Sequence, residues 1–134
     1  MASAGRPAVL ISRQLPEPAV QLARSRAEID AYAKDAPMPR AELLERLTGK
    51  QGLICVISEM IDEALLAARP GLRVVSNVAV GFNNVDVAAC TRRGVVVTNT
   101  PDVLTDTTAD FAWTLLMATA RRLVEADRYT REGR

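Results

Sequence analysis

The stretch Asn77-Val78-Ala79-Val80-Gly81-Phe82-Asn83-Asn84 leads from an apolar run into a helical one through a glycine. That geometry can turn backbone N–H groups toward a small anion, such as the carboxylate of a metabolite. The same spacing fits an ordinary β–α turn in which Gly81 supplies unusual backbone angles and Asn84 caps the helix, and spacing alone leaves both readings open. Other sources of chemistry are scarce. The 134 residues include no histidine, which removes the most frequent general base near neutral pH and the commonest metal ligand. Cys55 and Cys90 lack C-x-x-C spacing; the sequence predicts buried, inert thiols in a reducing cytoplasm, with no zinc ribbon or redox pair. The single G-x-x-G spacing, Gly49 to Gly52, has no G-x-G before it, and Gln51 follows Lys50 where a P-loop needs a hydroxyl. Neither standard nucleotide-phosphate loop is therefore written here.

The elements that must position these residues alternate. Ala8–Ile11, Leu53–Ile57, Leu72–Ser76 and Val95–Thr98 are mostly continuous apolar runs, as expected of parallel strands covered on both faces, and Glu28–Tyr32 alternates like a sheet-edge strand. Between them the spacing predicts helices over Pro18–Ser25, Pro39–Leu47, Ile61–Ala68 and Val85–Arg93, the last closed by Gly94 after two arginines. Five strands with alternating helices predict an α/β, flavodoxin-like three-layer domain with a five-stranded parallel sheet, in which ligands bind at the carboxyl ends of the strands. The strand ends exclude two other users of that topology. They read Ser12-Arg13 and Ser58-Glu59, without the aspartates of a phosphate-accepting receiver, and the loop after the first strand lacks the Ser/Thr/Gly richness of a flavin phosphate loop.

From Asp106 to about Arg122 the pattern predicts one long helix, apolar nearly all round from Phe111 to Ala120. Such a helix needs cover on more than one side, and a five-stranded layer covers one. Each fully buried Leu or Phe contributes roughly 1.5 to 3 kcal/mol, so the pattern calls for a second domain or a second chain. Composition agrees with an ordinary soluble domain. With 49% hydrophobic and 25% charged residues and a formal charge of +1, disordered and fibrous classes are excluded and neither nucleic acid nor an anionic membrane is expected as a partner. No apolar run approaches a membrane span and the start has no secretory apolar region, so a cytoplasmic protein is expected.

The segments Val78 to Asp86 and Arg93-Gly94-Val95-Val96-Val97-Thr98-Asn99-Thr100-Pro101-Asp102-Val103-Leu104-Thr105-Asp106-Thr107-Thr108-Ala109-Asp110, with Ile11 to Pro16 and Ala118 to Arg122, resemble the D-isomer-specific 2-hydroxyacid dehydrogenases, most nearly the glyoxylate and hydroxypyruvate reductases. The resemblance implies that residues 1–104 form a substrate domain, and that 105–134 supply an interdomain helix and the start of a Rossmann domain lying beyond. It implies that Val80 and Gly81 offer amides to the substrate carboxylate, that Ile57 and Ser58 line the same pocket, and that Thr108 approaches the nicotinamide of NAD or NADP. No catalytic residue is implied within the chain: the polarising arginine, the proton-transfer histidine and its carboxylate partner fall beyond it, so the chain alone is expected to be inactive. The complete protein would reduce a small 2-oxo acid to the D-2-hydroxy acid, as a homodimer. Asn83 and Phe82 stand where the family often has aspartate and tyrosine. Another family member, such as a phosphoglycerate or formate dehydrogenase or a dehydrogenase-like corepressor, remains an alternative. So does a non-catalytic small-carboxylate binding module or a truncated subunit.

Overall fold

The computed structural model describes residues 5–134. Its strands are β1 (Ala8–Ile11), β2 (Glu28–Ala31), β3 (Gly52–Cys55), β4 (Val74–Asn77) and β5 (Val96–Thr98), and its helices α1 (Glu17–Arg26), α2 (Arg40–Arg46), α3 (Glu63–Ala68), α4 (Val87–Arg92), α5 (Thr105–Ala120) and α6 (Leu123–Arg131). The sheet is wholly parallel in the order β2-β1-β3-β4-β5. This is the expected flavodoxin-like arrangement, in which right-handed crossovers send α1 to one face and α2, α3 and α4 to the other. Two compact units result, one reaching to Pro101 and the other spanning Asp102–Arg134.

Strand alternation distributes the core between the two faces. Leu10, Leu53, Cys55 and Val75 join Leu43 and Leu47 of the α2 region, Leu65 and Leu66 of α3, and Ala89 and Cys90 of α4 in one buried cluster. Ile11, next along β1, faces the opposite side, where α1 brings the buried Val20. Toward β4 and β5 that second face lies open, with Val74 37% and Val96 59% exposed. The expectation of cover on both faces therefore holds for β1 and β3 and fails toward β4 and β5.

Several ends differ from the sequence expectation for a local reason. Val56 and Ile57 leave the sheet because the Glu59 carboxylate takes the Val56 N–H at 3.0 Å, bending the chain after Cys55. Ile61 and Val85 do not open helices; they form a single parallel bridge. The helices begin two residues later under aspartate caps: Asp62 accepts from the Leu65 N–H at 2.8 Å and Asp86 from the Ala89 N–H at 2.8 Å. Asn84 is therefore not the helix cap the spacing suggested. Gly94 does adopt the expected left-handed conformation, φ 68°, with its N–H bonded to Thr91 O at 3.1 Å.

In the second unit α5 ends at Ala120, slightly short of the expected Arg122, which turns left-handed at φ 49° and starts α6. The sequence reading did not foresee α6, a polar helix laced by an Arg131–Asp127 pair at 2.9 Å. None of the 16 residues of α5 is buried.

Candidate functional site

Two loops meet at the carboxyl ends of β3 and β4: residues 56–62 and residues 78–86. The Val78 N–H donates to Cys55 O at 2.7 Å, which holds the second loop beside the first where the strands stop. Below them lies a buried polar network. Asn77 and Asn84, 1% and 4% exposed, face each other through their side-chain amides at 3.1 and 3.4 Å. Asn84 Nδ2 also donates to Glu59 O at 2.9 Å and Val56 O at 3.3 Å, tying its own loop to the one after β3. Asn77 Nδ2 donates to Gly81 O at 3.0 Å. The buried Glu59 carboxylate accepts from Val56 N–H and, at 2.8 Å, from Ser58 Oγ.

Three successive carbonyls of the second loop, those of residues 79–81, are engaged. Ala79 O accepts from Thr100 N–H at 3.0 Å, Val80 O from Asn99 Nδ2 at 2.8 Å and Gly81 O from Asn77. The peptides are trans, so each following N–H points away from the carbonyl that is held. Among the described residues the N–H groups of Val80, Gly81 and Phe82 find no acceptor. Consecutive unpaired donors, fixed by their own carbonyls, are what a carboxylate can accept from without reorganising the loop.

Gly81 was open to the reading that its backbone angles demand a glycine. The structure overturns this: its φ lies outside the left-handed region, and a Cβ built there would meet no atom within 4 Å. Glycine at 81 answers to no internal requirement, and its bare Cα leaves room for something from outside to come close.

Val80 and Gly81 thus share one end of the β3–β4 pair with Ile57, which is 59% exposed, and with exposed Ser58 on the neighbouring loop. Thr108 belongs to the second unit. There it lies one turn into α5 with its N–H bonded to Leu104 O at 2.9 Å. It does not cap the helix, since no side-chain bond closes the α5 N-terminus. The sequence reading missed Asn77 and Glu59 and misassigned Asn84. A signal existed for Asn77, which shares the buried face of β4 with Val75; none pointed to Glu59.

Cys55 lies inside this network and donates to Asn77 Oδ1 at 3.5 Å. Burial, aided by the charge of Glu59, pushes its thiol up to about 12. Burial and then Asp86 raise Cys90 in the same direction. Both cysteines are free and buried, as expected, and neither suits nucleophilic work. No group of three or more potential metal ligands occurs among the described residues, and among them no helix is long and apolar enough to cross a membrane. A separate cleft beside β1 and β2 carries Arg13, but Asp35 holds its guanidinium at 2.8 Å.

The chain was compared with known proteins as a whole. Residues 9–134 match the family model described as D-isomer specific 2-hydroxyacid dehydrogenase, catalytic domain. Over 128 residues the chain is 50% identical to a glyoxylate reductase of Thermococcus kodakarensis, covering 96% of this chain and 38% of that protein. Among solved structures, a Thermus thermophilus protein matches with a TM-score of 0.82 and 41% identity over 94% of this chain and 40% of its own. The NADPH-dependent glyoxylate/hydroxypyruvate reductase of Sinorhizobium meliloti, solved with NADP and malonate, matches with a TM-score of 0.70 and 33% identity over 97% of this chain and 39% of its own. The chain spans about 38% of the length of the curated relatives it matches.

Proposed function

Because the chain belongs to the D-isomer specific 2-hydroxyacid dehydrogenase family, we propose that it is the substrate-binding part of an oxidoreductase that reduces glyoxylate, hydroxypyruvate or a related 2-oxo acid to the D-2-hydroxy acid. In this reading residues 1–104 are the substrate domain, and 105–134 join it to a nucleotide-binding domain and open that domain. The observation that carries the reading is the run of unpaired N–H groups at Val80 and Gly81. They would receive the substrate carboxylate while Ile57 and Ser58 line the same hollow and restrict the size of the group attached to it. Held this way, the substrate is oriented before any chemistry, and orientation is this portion's contribution to rate.

NAD or NADP would supply the hydride in the complete protein. The residues present do not fit the holding of a dinucleotide: the chain has no glycine-rich strand–turn–helix for the pyrophosphate, and Thr108 is the one group we assign to the nicotinamide side. Proton transfer likewise needs a group from elsewhere, since the chain has no histidine. The apolar side chains of α5, among them Phe111, Trp113 and Leu116, are exposed and would be covered in a complete homodimeric, cytoplasmic enzyme.

The test is a heteronuclear NMR titration of the 134-residue chain with glyoxylate, beside a cofactor-oxidation assay. Saturable shifts centred on the Val80 and Gly81 amides, a clear weakening in Gly81→Ala without loss of stability, and no turnover are the expected results. Binding that Gly81→Ala leaves untouched, or shifts centred elsewhere, would overturn the assignment. The alternative of a non-catalytic carboxylate-binding module has the self-contained geometry of the first unit in its favour. It would be supported if a longer chain, continued through the coding sequence after Arg134, bound the acid equally well but never oxidised cofactor.

A further inference from the structure

The opposite end of the sheet carries a second, unrelated concentration of charge. At the amino-terminal ends of β3, β4 and β5 an open cleft is lined by Lys50, Arg73 and Arg93 together with Gly49, Gly71 and Gly94, and no carboxylate lines it. An adjoining hollow shares Arg93 and adds Arg69.

The local charge is poorly compensated. Arg73 is exposed and, among the described residues, has no carboxylate within 4.0 Å and no side-chain hydrogen bond. Lys50 reaches Asp30 only at 3.9 Å, and Asp30 is already engaged by Arg46. Arg93 and Arg92 share the single carboxylate of Glu63. Arg69 donates to the main-chain carbonyls of Leu44 and Ala68 and has no carboxylate partner among the described residues. The whole chain has a formal charge of +1, so this excess is a local feature that repels itself until an anion arrives.

The walls are bare as well as basic. Gly49 and Gly94 need glycine for their positive φ of 73° and 68°. Gly71 does not: its φ is not in that region, and the nearest atom to a built Cβ is Lys50 O at 3.9 Å. As at Gly81, no internal contact calls for the missing side chain, and the Gly71 N–H has no acceptor among the described residues. Main chain and three basic residues from separate stretches therefore line one open space, and of the three Arg73 is the one without a carboxylate partner among the described residues.

We propose that this cleft binds a small, multiply charged anion of the phosphate class, with Arg73 as its principal ligand and Lys50 and Arg93 on either side. Three cations from separate stretches of the chain suit an anion with two or more charged oxygens better than a single carboxylate. The cleft is separated from the loops at Gly81 by the length of β4, four residues or roughly 13 Å at about 3.3 Å per residue, so both sites can be filled together.

The experiment is an NMR titration of the 134-residue chain with orthophosphate, pyrophosphate and a nucleoside diphosphate in separate arms, all at one ionic strength, with acetate as a monovalent control. Saturable shifts at Gly49, Gly71, Arg73 and Gly94 are expected, stronger for pyrophosphate than for orthophosphate. Arg73→Ala should weaken binding roughly fivefold or more, while Arg128→Ala on α6, exposed and remote in sequence, should not change it. A nucleoside diphosphate binding more tightly than pyrophosphate would identify the source as a nucleotide, and equal affinity a free phosphate compound. Shifts that never saturate, that acetate reproduces, or that survive Arg73→Ala would overturn the proposal.

Discussion

Replacing Asn84 separates what the fold asks of it from what its position in the sequence suggests. Its amide nitrogen is the donor that Glu59 O receives among the described residues, at 2.9 Å in a buried setting. Val56 O would keep the Glu59 N–H at 3.3 Å, and Asn77 would keep Gly81 O at 3.0 Å. Asn84→Ala thus strands one buried carbonyl, at about 1–3 kcal/mol, and removes the packing of the amide itself. We expect a loss of about 2–4 kcal/mol, a large share of the roughly 5–15 kcal/mol that holds a domain together. Asn84→Asp is the sharper variant. It keeps the volume, but its ionised carboxylate has no proton to donate and faces two carbonyls. At pH 7 it should cost at least as much as alanine, and because its folded pKa would be raised, stability should recover as pH falls and the acid regains a proton. A helix cap behaves oppositely, since aspartate and asparagine cap about equally well; Asp86→Asn should accordingly be close to neutral. Urea unfolding of the parent and these three variants at pH 7 and pH 4 gives every value needed. An Asn84→Asp variant within about 0.5 kcal/mol of the parent at pH 7 would refute the network and restore the capping assignment.

Two further outcomes rest on the electrostatics. Asp62 lies below the usual carboxylate range, chiefly because it accepts the Leu65 N–H and secondarily because of Arg40 beside it. A lowered folded pKa stabilises above the unfolded value, so the cost of Asp62→Ala, about 1 kcal/mol at pH 7, should shrink as pH falls through about 4 and below; the side chain is 48% exposed, which keeps the effect small. Unfolding curves showing a pH-independent gap would contradict this. Cys55, with its thiol near 12, has on the order of one molecule in ten thousand ionised at pH 8. Iodoacetamide should label it only as fast as the chain opens, and labelling at the rate of an unfolded control would show the thiol to be accessible.

What could be read in the chain beforehand was whatever depends on near neighbours. The β-branched runs, the glycine after Arg92 and Arg93, and the apolar belt of α5 each state a local or single-element preference, and the alternation of such elements is enough to reach a flavodoxin-like sheet of five parallel strands. The motif around Gly81 was visible for the same reason. Tertiary structure alone decided where the strands stop, because Glu59 intercepts the Val56 N–H, and where α3 and α4 begin, because Ile61 pairs with the distant Val85. It also decided that Asn84 faces inward against Asn77 and Glu59, and that Lys50, Arg73 and Arg93 share one cleft. Hydrogen bonds and charges are satisfied by whichever group lies nearest in space, and sequence separation does not specify that group; periodicity reports which face a residue takes, and only the folded chain reports what it meets there.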